Sequence, residues 1–120
     1  MNLIAAVDRH WGIGRNGRLL LSIPEDQRLF RQETLGKTVI IGRKTLESLP
    51  GGQPLYGRRT IVLSRGEKKR MKGAVWVGSV QEALEAVKDC KREDVFVAGG
   101  EEIYRAFLPY CDTAHVTFVD

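Results

Sequence analysis

Residues 38–49 read TVIIGRKTLESL, and this stretch decides the fold. Thr38–Ile41 is a short apolar run, rich in β-branched residues and without polar alternation. Such a run suits a strand buried on both faces. It passes through Gly42 into a helical pattern spanning about Arg43 to Leu49, which stops at Pro50-Gly51-Gly52. Working outward, strand-type runs recur at Leu3–Val7, Thr60–Leu63, Ala74–Val77, Val95–Ala98 and Ala114–Val119. Helical patterns fall between them. One runs from about Ser22 to Thr34, with Ser22 and Glu25 at capping-box spacing and Pro24 in the first turn. Another starts at Ser79 with Glu82 three residues on, and Val80, Ala83, Leu84 and Val87 form its apolar stripe. A last one follows Gly99-Gly100, carries Ile103, Phe107 and Leu108, and ends at Pro109. Strands alternating with helices predict an α/β protein with a mainly parallel central sheet and helices on both faces. The stretch between Thr60–Leu63 and Ala74–Val77 is long enough for a crossover.

The totals fit one domain over residues 1–120. The composition, 42% hydrophobic and 28% charged, is that of a globular protein. The apolar runs are far too short to span a bilayer. The N-terminal stretch MNLIAAVDRH lacks a basic n-region, so the expectation is a cytoplasmic protein without a signal peptide. Cys90 and Cys111 lack CxxC spacing, and His10 and His115 lack ligand-spaced neighbours, which argues against a disulfide or a metal site. A net charge of +4 suits an anionic partner without choosing between nucleic acid and a phosphorylated cofactor. The basic run Arg65, Lys68, Lys69, Arg70, Lys72 has no interleaved aromatics, which leaves a single-strand nucleic-acid platform little support.

In open α/β sheets, ligands bind beyond the carboxyl ends of the strands. Three such ends carry suitable chemistry. Ile41-Gly42-Arg43-Lys44-Thr45 pairs a helix start with two cations, which would hold a phosphate or else form a cap with two solvated bases. Leu63-Ser64-Arg65 offers a hydroxyl and a guanidinium. Val97-Ala98-Gly99-Gly100 lets the backbone approach a ligand closely, or is simply a turn. A Walker motif is absent from the sequence. Upstream, GIGRNGRLLLSIPED (residues 12–26) is a glycine-rich loop entering a helix. Asp26 and Phe30 would share one face of that helix. A carboxylate held against apolar surface is costly without a partner, although an acid in a first helical turn is also favoured by the dipole. In PLYGRR (residues 54–59), either Arg58 or Arg59 would pair with a carboxylate, or the segment is a basic turn before a strand.

Taken in order, AAVD, GIGRNG, IPED, IGRKTLESL, PLYGRR, IVLSR, VFVAGGEEIY and FLP resemble the bacterial dihydrofolate reductase family over essentially the whole chain. The resemblance implies NADPH-dependent reduction of 7,8-dihydrofolate to tetrahydrofolate, with hydride going to C6 and a proton to N5. Asp26 then corresponds to the active-site carboxylate that promotes protonation, with a raised pKa expected beside apolar groups. Ile4, Gln27, Phe30, Leu49 and Leu55 fall at positions lining the pterin and aminobenzoyl pocket. Arg58 matches the arginine that pairs with the glutamate-tail carboxylate, and Thr117 a threonine that supports the active-site carboxylate. Ala6 and the loop Ile13, Gly14, Gly17, Arg18 and Leu19 match the segment closing over nicotinamide. Arg43, Lys44, Thr45, Ser64 and Arg65 match the groups holding the cofactor's phosphates. Ala98, Gly99, Gly100, Glu101, Glu102, Ile103 and Tyr104 match its pyrophosphate-side turn and helix.

The sequence departs from the family pattern in three places. Leu20-Leu21 stand where Pro-Trp is usual, and that tryptophan shields the site and holds an ordered water. Gln27 replaces an apolar residue. The chain ends at Asp120, where family members usually add two further strands. The expectation is a chain less stable than a full-length relative, with Ala114–Val119 at a sheet edge. Two copies of an otherwise monomeric family would then be able to pair through that edge. The alternative readings are a folate- or nucleotide-binding domain of the same fold without turnover and, further off, a basic nucleic-acid module. A membrane partner is not expected.

Overall fold

The computed structural model describes residues 1–8, 32–48, 57–66 and 73–119. The elements in chain order are β1 (Asn2–Asp8), β2 (Thr38–Gly42), α1 (Arg43–Ser48), β3 (Arg59–Leu63), β4 (Ala74–Val77), α2 (Val80–Ala86), β5 (Val95–Val97), α3 (Glu101–Phe107) and β6 (Thr113–Val119). Short 3-10 turns at Arg92–Asp94 and Leu108–Tyr110 precede β5 and follow α3. The strands form one six-stranded sheet in the order β4-β3-β2-β5-β1-β6, and every pairing is parallel.

The layers follow from the period-2 geometry of strands. Val39 and Ile41 of β2, Val62 of β3 and Phe96 of β5 point to one face, where Leu46 of α1 covers them. Ile40, Ile61, Val95 and Val97 point to the other, where Ala83 and Val87 of the α2 segment and Ile103, Tyr104 and Phe107 of α3 pack. Helices therefore cover both faces, as the apolar runs predict. β2 is buried along its whole length because it lies between β3 and β5 under both layers. Removing side chains such as Ile40 and Ile41 from water contributes roughly 2–3 kcal/mol each.

The expected strands are all present, with ends shifted by a residue or so; β5 closes at Val97 rather than Ala98. The cap of α2 is a finer difference. The Ser79 hydroxyl accepts from the Glu82 backbone N–H at 3.1 Å, as the spacing predicts. The Glu82 carboxylate accepts from the N–H of Gly78, one residue before the cap, at 3.0 Å. The expected stripe on the last helix also changes. Leu108 is exposed, because α3 tightens after Phe107 into a 3-10 turn that accommodates Pro109, and Tyr104 takes the buried position. At the start of the chain, the Asn2 amide donates to the carbonyls of Arg92, Glu93 and Val95, tying β1 to the turn that enters β5.

Candidate functional site

The connections reverse direction between β2 and β5. From β2 the chain moves to β3 and β4 on one side. From β5 it moves to β6 on the other. The helices that follow these two neighbouring strands accordingly lie on opposite faces, α1 on the Leu46 side and α3 on the Phe107 side. A crevice opens at such a point, beyond the strand carboxyl ends.

The residues around the crevice are held by short-range geometry. The N–H of Gly42 donates to the Gly99 carbonyl at 2.8 Å, and the N–H of Ala98 to Ile40 at 3.0 Å, which closes the ends of β2 and β5 together. A Cβ on Gly42 would meet Cγ1 of Ile103 at 3.0 Å, so α3 seats directly on this glycine. Gly99 has φ of +127°, a region L side chains rarely adopt, and the Gly99–Gly100 peptide is cis. Thr45 Oγ1 and the Tyr104 hydroxyl lie 3.7 and 3.4 Å from where a Gly99 Cβ would stand. The first turn of α1, the Gly-Gly turn and α3 thus meet at one place. The buried Tyr104 hydroxyl donates to the Ile4 carbonyl at 2.8 Å, and burial pushes its pKa well above the usual phenol range.

The cations divide into two kinds. Arg43 is engaged with Glu47 at 2.9 Å across one turn of α1. Lys44 and Arg65 are exposed and make no hydrogen bond or ion pair among the described residues. The register pairs Gly42 with Leu63, so Ser64 and Arg65 leave β3 alongside the start of α1. Ser64 and Thr45 are buried hydroxyls at these two strand ends. On α3, Glu101 is paired with Arg105 at 2.6 Å, while Glu102 is exposed in the same first turn. Cations facing outward, buried hydroxyls and a turn free of Cβ atoms fit a phosphorylated cofactor.

Arg58 stands apart from this group. It precedes β3, six residues before Ser64, so about 20 Å of strand separates the two. A single anion cannot use both. The Arg58 guanidinium donates to the buried Thr34 hydroxyl at 3.2 Å. Ala6 and Thr117 are register partners on β1 and β6. Asp26, Gln27, Phe30, Leu49, Leu55, Ile13, Gly14, Gly17, Arg18 and Leu19 lie outside the described residues. Sequence reasoning missed Thr34, the partner of Arg58, which carries no spacing or motif signal because it acts through a residue distant in the chain. Gly42 is legible as the strand end before Arg43, but not as the place where α3 and the Gly-Gly turn close on β2.

The fold defines an open parallel α/β protein whose strand order reverses between β2 and β5, where this group of residues meets. A family model for dihydrofolate reductase matches residues 1–120. The chain belongs to the dihydrofolate reductase family. It is 43% identical to the dihydrofolate reductase of Mycobacterium tuberculosis over 109 residues, covering 90% of this chain and 64% of that protein. It is 37% identical to dihydrofolate reductase type 3 of Salmonella typhimurium over 120 residues, covering 100% of this chain and 72% of that one. Among solved structures, dihydrofolate reductase from Enterococcus faecalis complexed with NADP(H) and RAB-propyl superimposes with a TM-score of 0.80. It is 30% identical, and the match covers 98% of this chain and 68% of that one. The chain thus spans about two-thirds of the length of the relatives it matches.

Proposed function

We propose that this chain carries out NADPH-dependent reduction of 7,8-dihydrofolate to tetrahydrofolate, with residues 1–120 acting as one domain. The observation that carries the reading is the meeting of Arg43-Lys44-Thr45, Ser64-Arg65 and Gly99-Gly100 at the crevice, within a chain of this family. When bound, NADPH supplies the hydride that goes to C6 of dihydrofolate. Lys44 and Arg65 attract its phosphates, and Thr45 and Ser64 offer hydroxyls beside them. Gly99 removes the side chain that would keep the pyrophosphate away from the backbone. Asp26 hydrogen-bonds the pterin and promotes protonation at N5, supported by Thr117. Ile4, Gln27, Phe30, Leu49 and Leu55 line the pocket. Arg58, far from the phosphates, takes the carboxylate tail. The segment from Ile13 to Leu19, with Ala6, excludes water from the reacting carbon. No residue of the chain forms a covalent bond, because the cofactor carries the difficult step.

The test is oxidation of NADPH that depends on dihydrofolate, in the unaltered chain and in Asp26→Asn. The expected result is turnover that falls at least tenfold in the variant, while NADPH binding changes little. Binding of both ligands without turnover would instead define a binding domain of the same fold.

A further inference from the structure

We propose that Thr34 is a positioning residue that fixes the Arg58 guanidinium for the carboxylate tail of a folate-type ligand. The proposal rests on the reading of Arg58 given above and adds how that arginine is aimed. Thr34 is fully buried, and its Oγ1 accepts from Arg58 Nη1 at 3.2 Å across 24 residues of sequence. It closes the helical turn at residues 32–34, and its carbonyl accepts from the Lys37 N–H at 2.9 Å. Two backbone bonds then bracket Arg58. The Gly36 N–H donates to the Gly57 carbonyl at 2.9 Å, and the Arg59 N–H donates to the Lys37 carbonyl at 3.0 Å. These bonds place the Arg58 backbone, and Thr34 places the far end of its side chain.

The physical consequence concerns entropy and direction. An arginine carries several rotatable bonds, and ordering them on binding weakens the complex. Its guanidinium is planar, so an acceptor held at one nitrogen sets the plane of all five N–H donors and the direction of the fork offered to a carboxylate. Thr34 suits this task. Its β-branched side chain is stiff at χ1, and its burial holds the hydroxyl still. The effect is confined to ligands that reach Arg58.

Folate and pteroate, which lacks the glutamate, separate this role from general support of the fold. Binding of each is measured by calorimetry in the unaltered chain and in Thr34→Val, Thr34→Ser, Arg58→Gln and the double variant Thr34→Val/Arg58→Gln. Thr34→Val is expected to weaken folate about threefold to tenfold and to leave pteroate within about twofold. Thr34→Ser keeps the hydroxyl and restores most of the folate affinity. In the Arg58→Gln background the Thr34→Val substitution adds nothing. Equal weakening of both ligands by Thr34→Val overturns the proposal, since support of the fold alone would do that; Thr34→Ala gives the same comparison if valine does not fit. Unchanged folate binding in Thr34→Val, with Arg58→Gln impaired, also overturns it and leaves the role of Arg58 intact. Unchanged folate binding in Arg58→Gln removes the reading of Arg58 itself.

Discussion

Gly99 shows how one residue's backbone shapes the crevice. Its φ of +127° excludes other residues by conformation, because a Cβ there would meet Tyr104 and Thr45 only at ordinary contact distances. Gly99→Ala should therefore cost about 1–3 kcal/mol, read as a lower urea midpoint, and should weaken NADPH binding in the same variant. Tyr104 adds a pH dependence. Its phenol is buried and its pKa lies above the ordinary value near 10. Above about pH 10 the unfolded chain loses this proton while the folded chain keeps it. Fewer protons are then bound by the unfolded state, and stability falls as pH rises. Tyr104→Phe removes the hydrogen bond to Ile4, which should lower stability by about 1–2 kcal/mol near neutral pH. It should also flatten the decline of the urea midpoint above pH 10. Both are read from denaturation curves across pH. Legibility in sequence differs at this scale. The Gly-Gly pair after a strand stands out, whereas the Tyr104–Ile4 bond, spanning 100 residues, has no sequence trace.

At the scale of elements, the strands are legible because runs such as TVII and VFV combine β-branched or aromatic residues with burial on both faces. Their partners are less so. That β2 lies between β3 and β5 depends on where the chain reverses, which local pattern does not encode. Leu108 illustrates the same limit: a 3.6-residue stripe predicts it inward, but Pro109 tightens the chain and turns it out. The cap of α2 is local and was readable from Ser79 and Glu82. An α-helix of seven residues is too short to persist without caps and packing. Ser79→Ala should thus lower stability by about 1 kcal/mol, seen as a shift of a few degrees in Tm, while NADPH binding stays unchanged. α2 touches the core face opposite α1, so a loss there does not reach the cation cluster.

At the scale of the whole molecule, a net charge of +4 suits an anionic ligand, and Lys44 and Arg65 stand exposed where one would bind. Among the described residues, Lys44 and Arg65 make no hydrogen bond or ion pair at neighbouring strand ends, while Arg43 is held by Glu47. Exposed charges interact through water and salt, with a Debye length of about 10 Å at 0.1 M. Lys44 and Arg65 should therefore govern both the affinity for NADPH and its sensitivity to salt. Replacing either by glutamine should raise the Kd for NADPH about fivefold at low salt, and the double variant should lose most of the salt dependence. NADH lacks the additional phosphate, so whichever cation faces that group should show its loss with NADPH and little with NADH. Glu47→Gln gives the opposite sign. It releases Arg43 from its ion pair at 2.9 Å, and NADPH should bind more tightly at low salt, with the gain fading as salt is raised. Titrations of both nucleotides at two salt concentrations separate these outcomes. A uniform response of NADPH and NADH to every substitution would mean that the cluster serves the pyrophosphate shared by both.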